Sequence, residues 1–274
     1  MNAMEKTWAI PAESWGRAPK AKHDERWVWF ASDEIPQDAA NVSLLPYGMG
    51  RSYGDSCLND GNILLRTTRA NRYLNFDPVT GILRAECGVT IFEIVRDFLP
   101  RGCFLPTTPG TQFVTLGGAI ANDVHGNNHH VAGTFGCHVV EFELLRSNGE
   151  RVVCSLQRNQ PLFCATIGGL GLTGFVTWAA IKLRRVVGPM LDQETIKYNG
   201  LTDFFSLSAE SSGEFEHTVS WIDCLASGAA LGRGIFIRGN HSTRELNDNK
   251  SIGGNLRLGL PLDLSVPFDF PPRV

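Results

Sequence analysis

Three glycine-rich loops contain the residue types in this chain that could do chemistry. We call residues 47–56 (YGMGRSYGDS) the first loop, residues 109–130 (PGTQFVTLGGAIANDVHGNNHH) the second loop and residues 167–176 (IGGLGLTGFV) the third loop. Glycine lets the backbone approach a ligand closely and present bare N–H groups to it. Each loop adjoins an apolar run typical of a strand. Together the loops predict one large, phosphate-bearing cofactor that is held from several sides.

The composition excludes several other classes of protein. The chain has 274 residues, is 43% hydrophobic and 19% charged, and has a net charge of −3. A nucleic-acid-binding protein usually carries a basic excess, which is lacking here. No apolar run is long enough to span a bilayer, and residues 1–17 lack the basic and apolar segments of a secretory signal. These observations predict a cytoplasmic protein with one large domain or two medium ones.

The cysteines predict neither a disulfide framework nor a zinc site. There are seven, they are scattered, and none forms a C-x-x-C pair. Both kinds of framework would show paired or clustered spacings. We therefore expect buried, reduced thiols, at Cys57, Cys87, Cys103, Cys137, Cys154, Cys164 and Cys224.

Hydrophobic periodicity and turn residues predict a mixture of strands and helices. Residues 1–40 are polar with interspersed tryptophans, which predicts a tethering arm rather than a core element. Strands are expected at 42–47, 61–66 and 174–186, hairpins at 73–88 and 139–155, and helices at 90–100 and 160–169. After about residue 187 the pattern changes to a second, unfinished α+β unit, with a helix at 201–210, strands at 217–224 and 233–239, and a proline-rich tail at 251–274.

The loops also resemble a known family. The stretches 46–56, 109–139 and 165–176 are similar, in order and spacing, to the flavin domain of the vanillyl-alcohol-oxidase-type oxidases. The SWGR sequence at 14–17 and the PLDLSVPFDFP sequence at 261–271 are similar to one group of these oxidases. The third loop contains GLGLTG, but it precedes a strand-like run, so it lacks the context of a Rossmann dinucleotide fingerprint.

The resemblance implies an α+β fold in three parts. Residues 1–40 are an N-terminal arm, residues 41–187 a two-subdomain PCMH-type FAD-binding domain, and residues 188–274 an incomplete α+β substrate (cap) domain. Family members continue well beyond this point and supply further active-site groups there, including a lysine. The sequence therefore predicts the front portion of such an oxidase.

The resemblance also implies which residues bind FAD. The first loop would wrap the pyrophosphate with backbone N–H groups, the second would line the other side of the cofactor and reach the isoalloxazine ring, and the third would contact the adenine end. The implied residues are Pro46, Tyr47, Gly48, Met49, Gly50, Arg51, Ser52, Tyr53, Gly54, Asp55, Ser56, Gly110, Thr115, Leu116, Gly117, Gly118, Asn122, Asp123, Val124, His125 and Val176.

Arg51 predicts that FAD is bound noncovalently at the first loop. Related oxidases that attach flavin there use a histidine in a G-x-G-H-S pattern, and this chain has GMGRS. A guanidinium stays protonated and is not a nucleophile for the flavin methyl group.

Two side chains are candidates for catalysis. His125 would face the flavin and the substrate hydroxyl, where an imidazole can orient an alcohol or share its proton as hydride leaves carbon. Tyr53 could hydrogen-bond a sugar hydroxyl, although a half-buried turn tyrosine is a fair alternative. Four histidines cluster at residues 125–138, but their spacing fits no familiar metal site. We therefore expect no metal, and structural roles for His129, His130 and His138.

These expectations lead to a functional hypothesis. The chain would belong to an FAD-dependent oxidoreductase that oxidises a secondary hydroxyl of a sugar, or of a polyprenyl-phosphate sugar, to a ketone. Oxygen or a quinone would reoxidise the flavin, and a short-chain reductase is an implied partner. The location would be cytoplasmic, with peripheral membrane association if the substrate is lipid-linked. The alternatives are an aldonolactone or alditol oxidase of the same superfamily, and a truncated flavin-binding protein without turnover.

Overall fold

The computed structural model describes residues 12–35 and 42–243. Its strands are β1 (Asp24–Trp27), β2 (Leu44–Tyr47), β3 (Ile63–Arg66), β4 (Tyr73–Asp77), β5 (Ile82–Glu86), β6 (Cys103–Phe104), β7 (Val139–Leu145), β8 (Arg151–Ser155), β9 (Phe175–Lys182), β10 (Arg184–Arg185), β11 (Leu191–Tyr198), β12 (His217–Ile222) and β13 (Gly234–His241). Its helices are α1 (Ile91–Phe98), α2 (Leu116–Ala121), α3 (His129–Ala132), α4 (Gln160–Thr166) and α5 (Leu201–Ser211). The expected mixture of helices and sheets is confirmed.

The chain divides into two compact units. The first contains the described residues up to Ile94, together with Gln112–Val124 and Thr134–Leu183. The second contains Val95–Thr111, His125–Gly133 and the described residues from Arg184 onward. The second loop therefore contributes residues to both units, which a division into consecutive segments did not anticipate.

A five-stranded antiparallel sheet forms the larger part of the first unit. Its strand order is β4-β5-β9-β7-β8, with β9 at the centre between β5 and β7. Six of the eight β9 residues are buried, as its apolar sequence predicts. The two predicted hairpins are present as β4–β5 and β7–β8, and Gly149 has the positive φ that the Asn-Gly turn requires.

A second sheet corrects the expectation of an N-terminal arm. β1 pairs in parallel with β3, which also pairs in parallel with β2. Val28 and Ile35, which follow β1, are buried in a hydrophobic cluster with Ile63 and Leu65. The sequence of β1, DERW, has no apolar face, so hydrophobic alternation does not identify it as a strand. Its charged residues pair with other side chains instead; Glu25, for example, forms an ion pair with Arg66 of β3.

The second unit contains two small sheets and α5. β6 pairs with β10, and β13 lies between β11 and β12 in a three-stranded antiparallel sheet. The predicted helix at 201–210 and the predicted strands are therefore found. That the second unit is a substrate domain stays a prediction. The proline-rich tail expected at 251–274 lies outside the described residues. The single long strand expected at 174–186 is interrupted at Leu183, because β10 pairs in a different sheet from β9.

Local signals placed the start of α1 well, whereas the helix expected at 160–169 ends at Thr166. Thr90 and Glu93 form a reciprocal capping box at the start of α1, with the Thr90 N–H donating to Glu93 Oε2 over 2.8 Å and the Glu93 N–H donating to Thr90 Oγ1 over 3.2 Å.

The expectation of buried cysteines is correct only in part. Cys87, Cys103 and Cys154 are buried, whereas three others lie exposed in loops or on a helix surface: Cys137, Cys164 and Cys224.

Candidate functional site

The first unit contains a cavity of about 330 Å³ that is lined by residues from all three glycine-rich loops. This volume lies at the lower end of the range for small-molecule sites, which is about 300–1,000 Å³. The predicted residues that line it are Pro46, Gly48, Met49, Gly50, Arg51, Ser52, Tyr53, Ser56, Thr115, Gly117, Gly118, Asn122, Val124 and Val176. Three stretches of sequence that are distant along the chain are thus brought to one place.

The first loop lines this cavity and has backbone hydrogen-bond donors that are unused among the described residues. It follows directly from β2, and the four backbone N–H groups from Gly48 to Arg51 donate to no acceptor among the described residues. Buried or partly buried N–H groups are normally paired with protein, water or ligand. Four consecutive donors in a row suit the oxygens of a diphosphate, so the residues present fit an FAD molecule at this point.

Tight packing fixes the path of this loop. A Cβ atom added at Gly48 would lie 2.5 Å from Thr115 Oγ1. Gly50 has a φ of +62°, and a side chain there would collide with the Tyr47 hydroxyl and the Glu13 carbonyl. Tyr47 itself is buried, donates its hydroxyl proton to the Glu13 carbonyl over 2.7 Å and accepts from the Glu13 N–H. Tyr47 therefore helps to fix the backbone position of the first loop.

α2 contributes a close backbone approach rather than free donors. The N–H of Leu116 donates to the Val89 carbonyl over 2.7 Å, and that of Gly117 donates to the Cys87 carbonyl over 2.9 Å. The third N–H, of Gly118, donates over 3.1 Å to the Thr115 side chain, which caps the helix. The first-turn donors of α2 are therefore already used, which leaves the first loop as the better anion-binding element of the two.

The part of the second loop that follows α2 is held by side-chain hydrogen bonds. Asn122 lines the cavity and donates from Nδ2 to the Gly118 carbonyl over 2.9 Å. Asp123 has a φ of +41° and accepts the Gly136 N–H over 2.8 Å, so its carboxylate stabilises the turn. Asp123 is absent from the cavity lining.

Among the described residues, the cavity wall carries positive charge and no carboxylate. Arg51 is the charged residue among those that line it. Its Nε donates to the Phe113 carbonyl over 3.2 Å. Tyr53 lines the mouth and is 84% exposed, more than the half-buried tyrosine considered from the sequence.

Some predicted residues lie elsewhere, and some lining residues were not predicted. Within the first unit, the predicted residues that do not line the cavity are Tyr47, Gly54, Asp55, Leu116 and Asp123; Gly110 and His125 belong to the second unit. The lining residues that the prediction missed are Cys57, Thr67, Cys87, Val114, Ala121, Leu170, Gly171, Gly174 and Phe175. Four of these belong to the third loop, whose glycine pattern was the available signal.

The two lining cysteines are poor nucleophiles. Burial raises the pKa of the Cys87 thiol far above its usual range and also raises the pKa of the half-buried Cys57 thiol. A thiolate is the reactive form of cysteine, so neither residue is suited to covalent chemistry at neutral pH.

The second unit contains His125 and a neighbouring polar network. The His125 ring lies 5.5 Å from the His129 ring in an edge-to-face arrangement. Asn128 is buried, donates to the Pro106 carbonyl over 2.7 Å and contacts Glu216 Oε1 at 3.1 Å. Residues 12–35 and 42–243 contain no group of three or more His, Cys, Asp or Glu side chains that could hold a metal ion.

Charged groups in this network shift several pKa values. Burial acts to raise the pKa of Glu216, but hydrogen bonds from Arg184 and Asn128 outweigh it, so the pKa lies below its usual value. Arg184 Nη1 lies 2.5 Å from Glu216 Oε1. Burial, followed by the charge of Arg184, lowers the pKa of His241 to about 4. Burial likewise lowers the pKa of His217.

Comparison with known families identifies the class of protein. Residues 37–155 match a family model described as an FAD binding domain. This range contains the first loop, α2 and most of the cavity-lining residues. This stretch is therefore an FAD-binding domain, and the chain is similar to FAD-linked oxidases that carry such a domain.

Individual relatives agree with this assignment. The chain is 33% identical over 230 residues to decaprenylphosphoryl-beta-D-ribose oxidase of Mycolicibacterium smegmatis, a match that covers 83% of the chain and 50% of the relative. It is 38% identical over 157 residues to an uncharacterized Streptomyces coelicolor protein from the mprA 5' region (57% of the chain, 42% of the relative). It is 27% identical over 137 residues to a putative D-arabinono-1,4-lactone oxidase of Neurospora crassa (49% and 24%). The chain spans half the length of these relatives or less.

In the described part of the chain, no helix is long and apolar enough to cross a membrane.

Proposed function

We propose that the chain binds FAD noncovalently in the cavity of the first unit, with the diphosphate at the first loop. The observation that carries this proposal is the run of backbone donors from Gly48 to Arg51. In the described part of the chain these donors have no acceptor, and the cavity wall they belong to has no carboxylate. Arg51 stands where oxidases with covalently attached flavin have a histidine, and its side chain cannot attack the flavin methyl group.

We further propose that the protein oxidises a secondary hydroxyl of a sugar or a lipid-linked sugar to a ketone. When bound, FAD supplies the acceptor for the hydride that leaves the carbinol carbon. The names of the similar proteins, a decaprenylphosphoryl-ribose oxidase and a lactone oxidase, support a substrate of this class. An aldonolactone or alditol substrate is the second candidate, favoured by the likeness to the lactone oxidase.

Two residues of the chain are assigned to the substrate in this proposal. His125 follows the cavity-lining Val124 in the sequence and would orient the hydroxyl or accept its proton. Tyr53, exposed at the cavity mouth, would donate a hydrogen bond to a sugar oxygen. Oxygen or a quinone as the electron acceptor, a short-chain reductase as a partner, and a cytoplasmic location at or near a membrane belong to the same proposal.

Titration of the purified chain with FAD and with riboflavin tests the cofactor site. Riboflavin lacks the diphosphate, so we expect it to bind at least about a hundredfold more weakly than FAD, and acid precipitation should release the bound flavin. Equal affinities for the two flavins would contradict the role of the first loop. Flavin that stays with the acid-precipitated polypeptide would contradict noncovalent binding.

Turnover is tested with the FAD-loaded protein and a panel of sugars, lactones and alditols, with a dye as electron acceptor. We expect oxidation of a sugar that carries a free secondary hydroxyl. Oxidation of aldonolactones alone would favour the second candidate. Stable FAD binding without turnover of any member would favour a flavin-binding protein that does not act on these substrates.

A further inference from the structure

The guanidinium of Arg51 lies in a stack of aromatic rings at the edge of the cavity. Its Cζ atom is 5.1 Å from the centre of the Trp15 ring and 5.9 Å from the centre of the Phe113 ring. Phe92 continues the stack, with its ring 6.2 Å from Phe113 at an interplanar angle of 29°. Two rings from distant parts of the sequence therefore contact one charge, and a third ring extends the stack.

The backbone holds this stack in place. The Trp15 N–H donates to the Ser52 carbonyl over 2.9 Å, which ties the segment before β1 to the first loop. Gly16 packs so closely on the same loop that an added Cβ would lie 2.9 Å from the Tyr53 carbonyl oxygen. On the other side, Arg51 Nε donates to the Phe113 carbonyl over 3.2 Å. The first two contacts fix the backbone next to Trp15, and the third restrains the Arg51 side chain directly.

The two rings that contact Arg51 are partly exposed. Trp15 is 40% exposed and Phe113 is 46% exposed. Both rings lie at distances from the Arg51 guanidinium that are typical of cation–π contacts, so the cation attracts each ring specifically. The Arg51 Nε–H donates to the Phe113 carbonyl, whereas the terminal nitrogens of Arg51 contact no acceptor among residues 12–35 and 42–243. The Arg51 guanidinium thus retains hydrogen-bond donors for a ligand.

We propose that Trp15 and Phe113 are positioning residues that hold the Arg51 guanidinium against the negatively charged diphosphate of FAD. This inference rests on the proposed binding of FAD at the first loop. Arg51 brings a positive charge to a wall whose described residues include no carboxylate, and a guanidinium suits phosphate oxygens because its donors lie in one plane. The rings act through Arg51 by limiting its rotamers before the cofactor arrives.

The test is a double-mutant cycle on the affinity for FAD, measured by flavin fluorescence with the purified chain. Arg51→Gln should weaken FAD binding about tenfold or more, and Phe113→Leu should weaken it about three- to fivefold, as expected for a lost cation–π contact. Adding Phe113→Leu to Arg51→Gln should change the affinity less than twofold. ADP, which carries the diphosphate without the flavin ring, should show the same pattern as a competitor.

The chain offers a matched control in Phe30, which is also 46% exposed and lies 3.8 Å from the guanidinium of Arg72, away from the cavity lining. Phe30→Leu should leave the FAD affinity unchanged. Circular dichroism of each variant checks that the fold is kept, and Trp15→Leu gives a second reading if Phe113→Leu does not fold.

Three outcomes would decide against this inference. An equal effect of Phe113→Leu with and without Arg51 would show that the ring acts by packing alone. No effect of Arg51→Gln, or an effect on FAD but not on ADP, would show that the charge does not act on the diphosphate. In each of these cases the proposed FAD site stands. Failure of the unmodified chain to bind FAD would instead overturn the proposed function, and the inference with it.

Discussion

Replacing Gly48 by alanine tests how tightly the first loop packs on the second. An added Cβ would lie 2.5 Å from Thr115 Oγ1, closer than real Cβ contacts come, and 3.1 Å from Thr115 Cγ2, which is a tight contact. The same Oγ1 accepts the Gly118 N–H and caps α2. The added methyl group must therefore displace either the loop or the cap.

The expected loss of stability follows from these two contacts. Loss of a threonine cap costs about 1 kcal/mol, and forcing a methyl group into a packed site costs about 1–3 kcal/mol. We expect Gly48→Ala to lower the free energy of unfolding by about 2–4 kcal/mol. Gly54→Ala is the matched control, because Gly54 lies in the same loop and its added Cβ would meet no atom within 4 Å. The control should stay within about 0.5 kcal/mol of the unmodified chain.

Urea unfolding, followed by tryptophan fluorescence and circular dichroism, measures these free energies. A Thr115→Ala background sharpens the test, because the remaining Thr115 Cβ would lie 3.4 Å from the new methyl group, an ordinary contact. There Gly48→Ala should cost less than about 1 kcal/mol. Equal stabilities of the Gly48→Ala and Gly54→Ala variants, or a full penalty in the Thr115→Ala background, would refute the reasoning.

Three further predictions concern titration, thiol reactivity and catalysis. Burial and the charge of Arg184 lower the pKa of His241 from 6.5 to about 4. The unfolded state therefore binds more protons between these pH values, and the free energy of unfolding should fall as the pH drops through this window. His241→Gln should remove part of that loss, at most about 3 kcal/mol and less after solvent screening, in urea titrations at neutral pH and near pH 5. In a thiol-reagent assay, the native chain should react rapidly at its three exposed cysteines and at all seven only after denaturation. His125→Ala should lower the turnover number about 10²–10⁴-fold with little change in FAD content, and a parallel loss of flavin would assign His125 to the cofactor instead.

Local features of the fold were predictable because local residues determine them. The Asn148–Gly149 turn and the capping box of α1 need only a few neighbouring residues, and both are present. β1 could not be predicted in the same way. Its side chains are charged or aromatic, and what makes it a strand is pairing with β3, which lies far along the chain.

The candidate site shows the same division. The glycine pattern predicted the loops that line the cavity, because a glycine indicates from the sequence alone that the backbone of its loop can approach a neighbour closely. Thr67 and Cys87, which follow β3 and β5, line the cavity because of how those strands are paired in their sheets. The free donors of the first loop and the used donors of α2 also depend on distant carbonyl groups, which a motif does not reveal.

The central place of β9 has a consequence for how the protein is made. Glu86 of β5 pairs with Trp178 of β9, so the sequence between them must leave the ribosome before the five-stranded sheet can close. Such distant pairings raise the contact order and slow folding, because loop-closure entropy is lost before the contacts form. Phe175 and Val176 also line the cavity, so the nascent chain cannot complete it until β9 has been synthesised. Until then β5 and β7 each have an open edge, and chaperones that cover such edges would act at this stage of translation.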